Sequence, residues 1–204
     1  VTVTVQENPL ATIASYDAQL CHGSTVDFSV TVSNVATTDA WTLVYTLDGT
    51  TETATGTGAG TFSFTTTKTV TSTSDVLALV SITNNTSPDN CNSTLSESKT
   101  ITVDPTTVAG VIGTYAISRD TVVCYGGNGY VKEFTSGTGS IVKWQRRKNG
   151  SSTWVDINST NGTQFFFNLI DTTEFRAVYQ SGVCATDASA SVTATPKALP
   201  YAEI

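Results

Sequence analysis

Four cysteines, a lone histidine and a run of basic residues carry most of the distinctive chemistry of this 204-residue chain. Cys21 and Cys91 fall in the first half and Cys124 and Cys184 in the second, with no CxxC spacing and no Cys/His cluster that would suit zinc. Two cysteines per half predict one disulfide per half and an oxidising compartment. Closing loops of this length would contribute roughly 4 kcal/mol each on a chain-entropy model. His22 lies beside Cys21, so any Ser–His–Asp centre would have to use it. A loop histidine next to a half-cystine is the simpler reading. HExxH and DxDxDG patterns are absent. A structural calcium near Asp104 and Asp120 would have only two scattered carboxylates to hold it. The chain reads as a non-enzyme without a cofactor.

Candidate contact residues cluster in one stretch, IVKWQRRKNGSSTWVDI at Ile141–Ile157. Alternating apolar and polar residues on each side of Asn149-Gly150 predict two strands joined by a tight turn there. Arg146, Arg147 and Lys148 would form a basic tip, suited to an acidic partner or simply to solvent. Trp154 on the second arm, and Phe166 within Phe165-Phe166-Phe167, are the aromatics to test for exposure, since an exposed ring can stack on a sugar. Packing would account for the other two phenylalanines.

The elements that must position these residues are strands. Thr fills polar positions, charged residues are only 13 %, and no window repeats its apolar residues at helical spacing. The order Cys124, Trp144, Cys184 outlines an immunoglobulin-like sandwich, and Cys21, Trp41, Cys91 repeats it with the same 20-residue step from Cys to Trp. Three Pro-containing joints, at Pro9, Pro105 and Pro196, recur at about one domain length. The predicted organisation is two tandem sandwiches of seven strands, residues 1–104 and 105–196. Residues 1–8, with Val1–Val5 as a strand, would close a preceding repeat, and residues 197–204 would be a linker or the start of a following one. In the second half the strands are expected near Val108–Ile117, Tyr130–Ser136, Ile141–Arg147, Thr153–Ile157, Gln164–Leu169, Glu174–Ser181 and Ser189–Thr195. Asp48-Gly49 is expected to be a hairpin turn, and Thr55–Gly60 a flexible loop.

Charge narrows the partners. The net charge of −7 is concentrated in residues 1–104, where Lys68 and Lys99 face ten acidic side chains. Such a surface is unsuited to nucleic acid, and no apolar run is long enough to span a membrane. Asn-x-Ser/Thr sequons occur at Asn84, Asn85, Asn92, Asn149, Asn158 and Asn161, and matter only in a glycosylating host.

The runs GSIVKWQRRKNGSSTWVDINST and TTEFRAVYQSGVCATDASASVTATP resemble the Ig-like repeats of very large Bacteroidetes surface proteins. That family includes gliding-motility adhesins exported by the type IX secretion system. Residues 1–104 match only in outline and are similar to a PKD- or Ig-like module. The resemblance implies a secreted, cell-surface stalk for adhesion or gliding motility. Its partners would be neighbouring repeats of the same chain, surface glycans or other cell-surface proteins. Arg146-Arg147-Lys148 replaces the small polar residues expected in that family. Asp120-Thr121-Val122 resembles the O-glycosylation motif of Bacteroidetes secreted proteins, which implies a sugar on Thr121. Two other readings stay open: a carbohydrate-binding or accessory module of a secreted enzyme, and a pilin-like sandwich with a Lys–Asn isopeptide bond.

Overall fold

A computed structural model describes residues 7–86, 90–114 and 120–198. The expected strand at Val1–Val5, the end of the expected strand Val108–Ile117 and the expected start of a following repeat at 199–204 lie outside these residues. The chain divides into two compact units, residues 1–104 and 105–204. Among the described residues the regular elements of both are all strands.

The first unit contains β1 (Leu10–Tyr16), β2 (Gln19–Cys21), β3 (Asp27–Ser33), β4 (Ala40–Leu47), β5 (Thr50–Thr57), β6 (Gly60–Thr65), β7 (Ser74–Asn84), β8 (Asn92–Thr94) and β9 (Ser98–Asp104). One sheet runs β1-β3-β6. The other runs β2-β9-β7-β4-β5, with β8 also on β7. Among the described residues the pairs are antiparallel except β2 with β9, where Gln19, Leu20 and Cys21 lie beside Thr102, Val103 and Asp104 in parallel. Alternation along β3 and β4 drives Phe28, Val30, Val32, Trp41, Leu43, Tyr45 and Leu47 into the space between the sheets.

The second unit repeats this plan in β10 (Val111–Gly113), β11 (Thr121–Cys124), β12 (Gly127–Thr135), β13 (Ser140–Lys148), β14 (Val155–Ile157), β15 (Thr163–Leu169), β16 (Thr173–Gln180), β17 (Asp187–Ala188) and β18 (Val192–Lys197). Its sheets run β10-β12-β15 and β11-β18-β16-β13-β14, with β17 on β16. Here too the early short strand is parallel to the last one, Thr121–Cys124 beside Ala194–Lys197. The two fully buried tryptophans are treated alike. Trp41 Nε1 donates to the Gly58 carbonyl at 2.9 Å and Trp144 Nε1 to that of Asn161 at 2.8 Å, each 17 residues on. Large aromatics occupy both cores only because their N–H groups find partners. All-β, twin immunoglobulin-like sandwiches is the observed fold.

Several local expectations change. Among the described residues each unit shows nine strands and not seven, because β2, β8, β11 and β17 are too short to show periodicity in the sequence. Asp48 and Gly49 both have positive φ and make the two-residue turn between β4 and β5. The Thr55–Gly60 segment is strand up to Thr57 and resumes as strand at Gly60, leaving a two-residue turn in place of a flexible loop. Asn149-Gly150 does not close a tight hairpin. Ser151 N–H closes a turn on the Lys148 carbonyl at 2.9 Å, but of the central pair only Gly150 takes positive φ, and pairing resumes only where Val155 meets Arg146. A register shift between Ile141 and Lys143 puts Ile141 and Trp144 inside and leaves Val142 at the surface. Lys197 completes β18 opposite Cys124, so it belongs to the sandwich and not to a linker.

Candidate functional site

The basic stretch of β13 is largely satisfied within its own sheet. Strand alternation places Lys143, Gln145 and Arg147 on the solvent side, where β14 and β16 supply partners. Arg147 donates to Glu174 Oε2 from Nε at 3.0 Å and from Nη2 at 2.7 Å. The Arg147 and Arg176 guanidiniums lie over the Trp154 ring, 4.4 and 4.2 Å from its centroid. Arg176 Nε donates to Gln145 Oε1 at 2.7 Å, and Gln145 Nε2 to Asp156 Oδ1 at 2.7 Å. Lys143 closes the chain on Asp156 at 2.8 Å. Donors from Lys143 and Gln145 hold the Asp156 carboxyl below its ordinary range. Burial, followed by repulsion from Arg147, lowers Arg176. Trp154 is thus the half-buried centre of a polar lattice bracing β13, β14 and β16. Lys148, also exposed, pairs with Asp171 at 3.1 Å, and Arg146 is exposed beside it.

Phe166 is not a surface ring. It is 5 % exposed and stacks on Phe175 with centroids 5.3 Å apart. It lies across Gly129, where a Cβ would come within 2.4 Å of the ring. The parity of β15 therefore runs opposite to expectation, with one phenylalanine packed and two exposed. Phe165 is 57 % and Phe167 73 % exposed. Phe165 pairs with Tyr130 across β12 and β15, ring centroids 6.1 Å apart, and Lys132 Nζ sits 4.6 Å over Phe134 on the same outer face. The face is an aromatic strip that sequence reasoning missed. Its signal was the glycine at position 129, which leaves room for a ring only on the inner side.

The corresponding sheet of the first unit is finished differently. There the outer positions of β3 and β6 are Asp27, Ser29, Thr31, Thr61, Ser63 and Thr65. Thr31 and Thr61 hydroxyls bond at 3.1 Å, Ser15 and Ser29 at 2.6 Å, and Thr65 donates to Asp27. A hydroxyl-covered face thus serves this sandwich plan well, so the rings on the second unit are not required by the fold.

The cysteines depart from one disulfide per half. Cys21 and Cys184 are disulfide-bonded, whereas Cys91 and Cys124 carry free thiols. Topology explains why neither half closes its own bridge. Cys21 lies beside Asp104, at the Ser74 end of β7, while Cys91 accepts from Asn84 N–H at the other end. Eleven residues of strand separate them, about 33 Å at the usual rise, against the roughly 4–7 Å between Cα atoms that a disulfide spans. Cys124 and Cys184 likewise lie at opposite ends of β16.

The remaining candidates are soon placed. Thr121 is 7 % exposed and paired in β11, so its hydroxyl is not presented for glycosylation. His22 is exposed in the turn after β2, where its N–H donates to the Asp104 carbonyl. Asp104 accepts from Gln19 at 2.8 Å and Asp120 from Thr193 N–H at 2.7 Å. Among the described residues no group of three or more His, Cys, Asp or Glu side chains could hold a metal ion. Lys68, Lys99, Lys132, Lys143 and Lys148 face carbonyls, carboxylates or a ring.

Residues 113–198 match a domain family described as a domain of unknown function, DUF8696. No curated protein matches. Among solved structures the chain is similar to one titled "Ca2+-stabilized adhesin helps an Antarctic bacterium reach out and bind ice", at 18 % identity and a TM-score of 0.52. The alignment covers 99 % of this chain and 52 % of that one, so the chain spans about half of the adhesin structure. Fibronectin(III)-like modules of Clostridium thermocellum CbhA align over 96 % of this chain and 99 % of theirs, at 15 % identity and a TM-score of 0.43. The adhesin match shows a shared fold.

Proposed function

We propose that this chain is a load-bearing segment of the stalk of a large secreted adhesin, and that its task is mechanical and not catalytic. The observation that carries this reading is the parallel pairing of β2 with β9 and of β11 with β18. In each unit tension along the chain pulls the early strand back towards its N-terminus and the last strand forward towards its C-terminus. In a parallel pair that load is shear, shared by evenly spaced hydrogen bonds, whereas an antiparallel pair loaded at one end would unzip bond by bond. Two units with the same topology are two copies of one mechanical element.

Within this reading the repeats are residues 1–104 and 105–196, extended by Lys197, and neighbouring repeats of the same chain are the direct partners. A distal region binds surface glycans or other cell-surface proteins, for attachment or gliding motility. Export by the type IX system to the surface of a Bacteroidetes cell rests on the motif resemblance in residues 105–196. No cofactor enters the reading. The strip of Tyr130, Phe165 and Phe167 favours a second reading, a carbohydrate-binding or accessory module of a secreted enzyme. A glycan-array and whole-cell binding screen separates the two. The stalk reading predicts no binding by the folded protein; saturable sugar binding that Phe167→Ala abolishes would replace it with the second.

A further inference from the structure

One core-facing position of β13 carries a charge. Arg146 lies two residues beyond the buried Trp144, on the same face of the strand. In the row across that face it stands between Val155 of β14 and Phe175 of β16. The first unit shows what the fold otherwise puts there. Two residues beyond its own buried tryptophan, Leu43 stands between Ala54 and Ile82, and all three are buried. The sandwich plan therefore does not require the arginine. It lines a slot of about 240 Å3, floored by the core residues Phe166, Leu169 and Phe175 and rimmed by the exposed Val155 and Ile170. Arg147 and Lys148 are answered by Glu174 and Asp171, whereas Arg146 has no carboxylate partner among the described residues.

We propose that this slot docks an extended segment of a partner protein, one that presents a large apolar side chain two positions from an acidic one. Size points to a side chain: the slot is smaller than the roughly 300–1,000 Å3 of pockets that take drug-sized ligands. Charge points to an acid. An uncompensated guanidinium beside apolar walls favours a carboxylate, which it can hold with two parallel N–H donors. The backbone points to a strand. β14 and β15, which border the slot, are the outermost strands of their sheets, so each offers unpaired N–H and C=O groups to an added strand. Alternate residues of an extended segment share one face about 7 Å apart, which sets the two-residue step between the apolar anchor and the acid.

A random heptapeptide library displayed on phage and selected on the folded full chain tests this. Enriched peptides should carry an apolar and an acidic residue separated by one position, in either order. The strongest binder, made synthetically, should lose about tenfold or more in affinity when its acid is replaced by the amide. Arg146→Gln should weaken binding by a similar factor with little change in Tm. Arg146→Leu, which copies the first unit, should abolish binding and raise the Tm. No enrichment over the Arg146→Leu protein, enriched peptides that lack an acid, or a Tm lowered by Arg146→Leu would overturn the proposal. So would a different occupant: dodecanoate that displaces every selected peptide, or a concentration-dependent dimer that Arg146→Gln abolishes. Phe167 lines both this slot and the aromatic strip. Arg146→Gln leaves the strip intact, so it separates peptide binding from the sugar binding that would replace the stalk reading, and the two can fail separately.

Discussion

Replacing Trp154 by alanine should weaken the second unit without touching any ligand site. The ring lies beneath two guanidiniums, at 4.4 and 4.2 Å from its centroid, and partly exposed cation–π contacts contribute about 0.5–1 kcal/mol each. Truncation also returns much of a tryptophan's apolar area to water, on the order of 1–2 kcal/mol at 25 cal/mol per Å2 after allowing for its partial exposure. Together these give about 2–3 kcal/mol. For a unit of about 100 residues that is a fall in Tm of roughly 10–20 °C. Trp154→Phe keeps a ring beneath Arg147 and Arg176 and should lose less than half as much. Thermal unfolding followed by circular dichroism, with glycan binding measured on the same samples, is the assay. A Trp154→Ala protein with unchanged Tm and lost binding would refute the bracing role and make the ring a contact.

Other substitutions carry opposite signatures. Phe167→Ala removes a ring that is 73 % exposed and should change stability by less than about 0.5 kcal/mol; a larger loss in urea unfolding would mean that the strip is structural. Gly129→Ala forces a methyl group to within 2.4 Å of the Phe166 ring and should cost about 1–3 kcal/mol by overpacking, which the same unfolding curves would show. Acid sensitivity should come partly from Glu52 and Glu97. Burial raises both carboxyls, but donors from Thr67 N–H, Lys68 N–H and Tyr45 in one case, and from Ile13 N–H and Lys99 in the other, leave both below the ordinary 4.5. A depressed folded value stabilises above the unfolded one and loses that contribution as pH falls through it. Stability of the first unit should thus be level from neutral pH to about 5 and decline below 4.5, with Glu52→Gln showing a shallower decline; acid titration of Tm checks this, and equal slopes would contradict it.

Period-two alternation along β3, β4 and β13 made the sandwich class legible in the sequence, and the tryptophan spacing made the repeat legible. Asp48-Gly49 was legible because both turn positions accept positive φ. Asn149-Gly150 offers similar turn chemistry but folds differently, because Asn149 does not take the positive φ that Asp48 takes and only Gly150 does, so the turn lacks the mirror-image twist that carries two strands straight on from it. Pairing with Gly129 decides which face of Phe165-Phe166-Phe167 is packed, and nothing inside the triplet could reveal that. Cysteine pairing failed for a similar reason: sequence order groups Cys21 with Cys91, while the length of β7 holds them apart. The three- and four-residue strands β2 and β11 carry the mechanical argument, yet they are too short for any periodicity.

Pulling this chain end to end in a single-molecule force experiment, with thiols reduced so that each unit can extend fully, tests the load-bearing claim most directly. The account predicts two abrupt ruptures of similar force, one per unit, and a selective drop in one of them for Val123→Pro, which disrupts the ladder of β11 with β18 opposite Pro196. Gradual, low-force extension of the wild-type chain, or a Val123→Pro trace that matches it, would show that the parallel terminal strands do not bear the load.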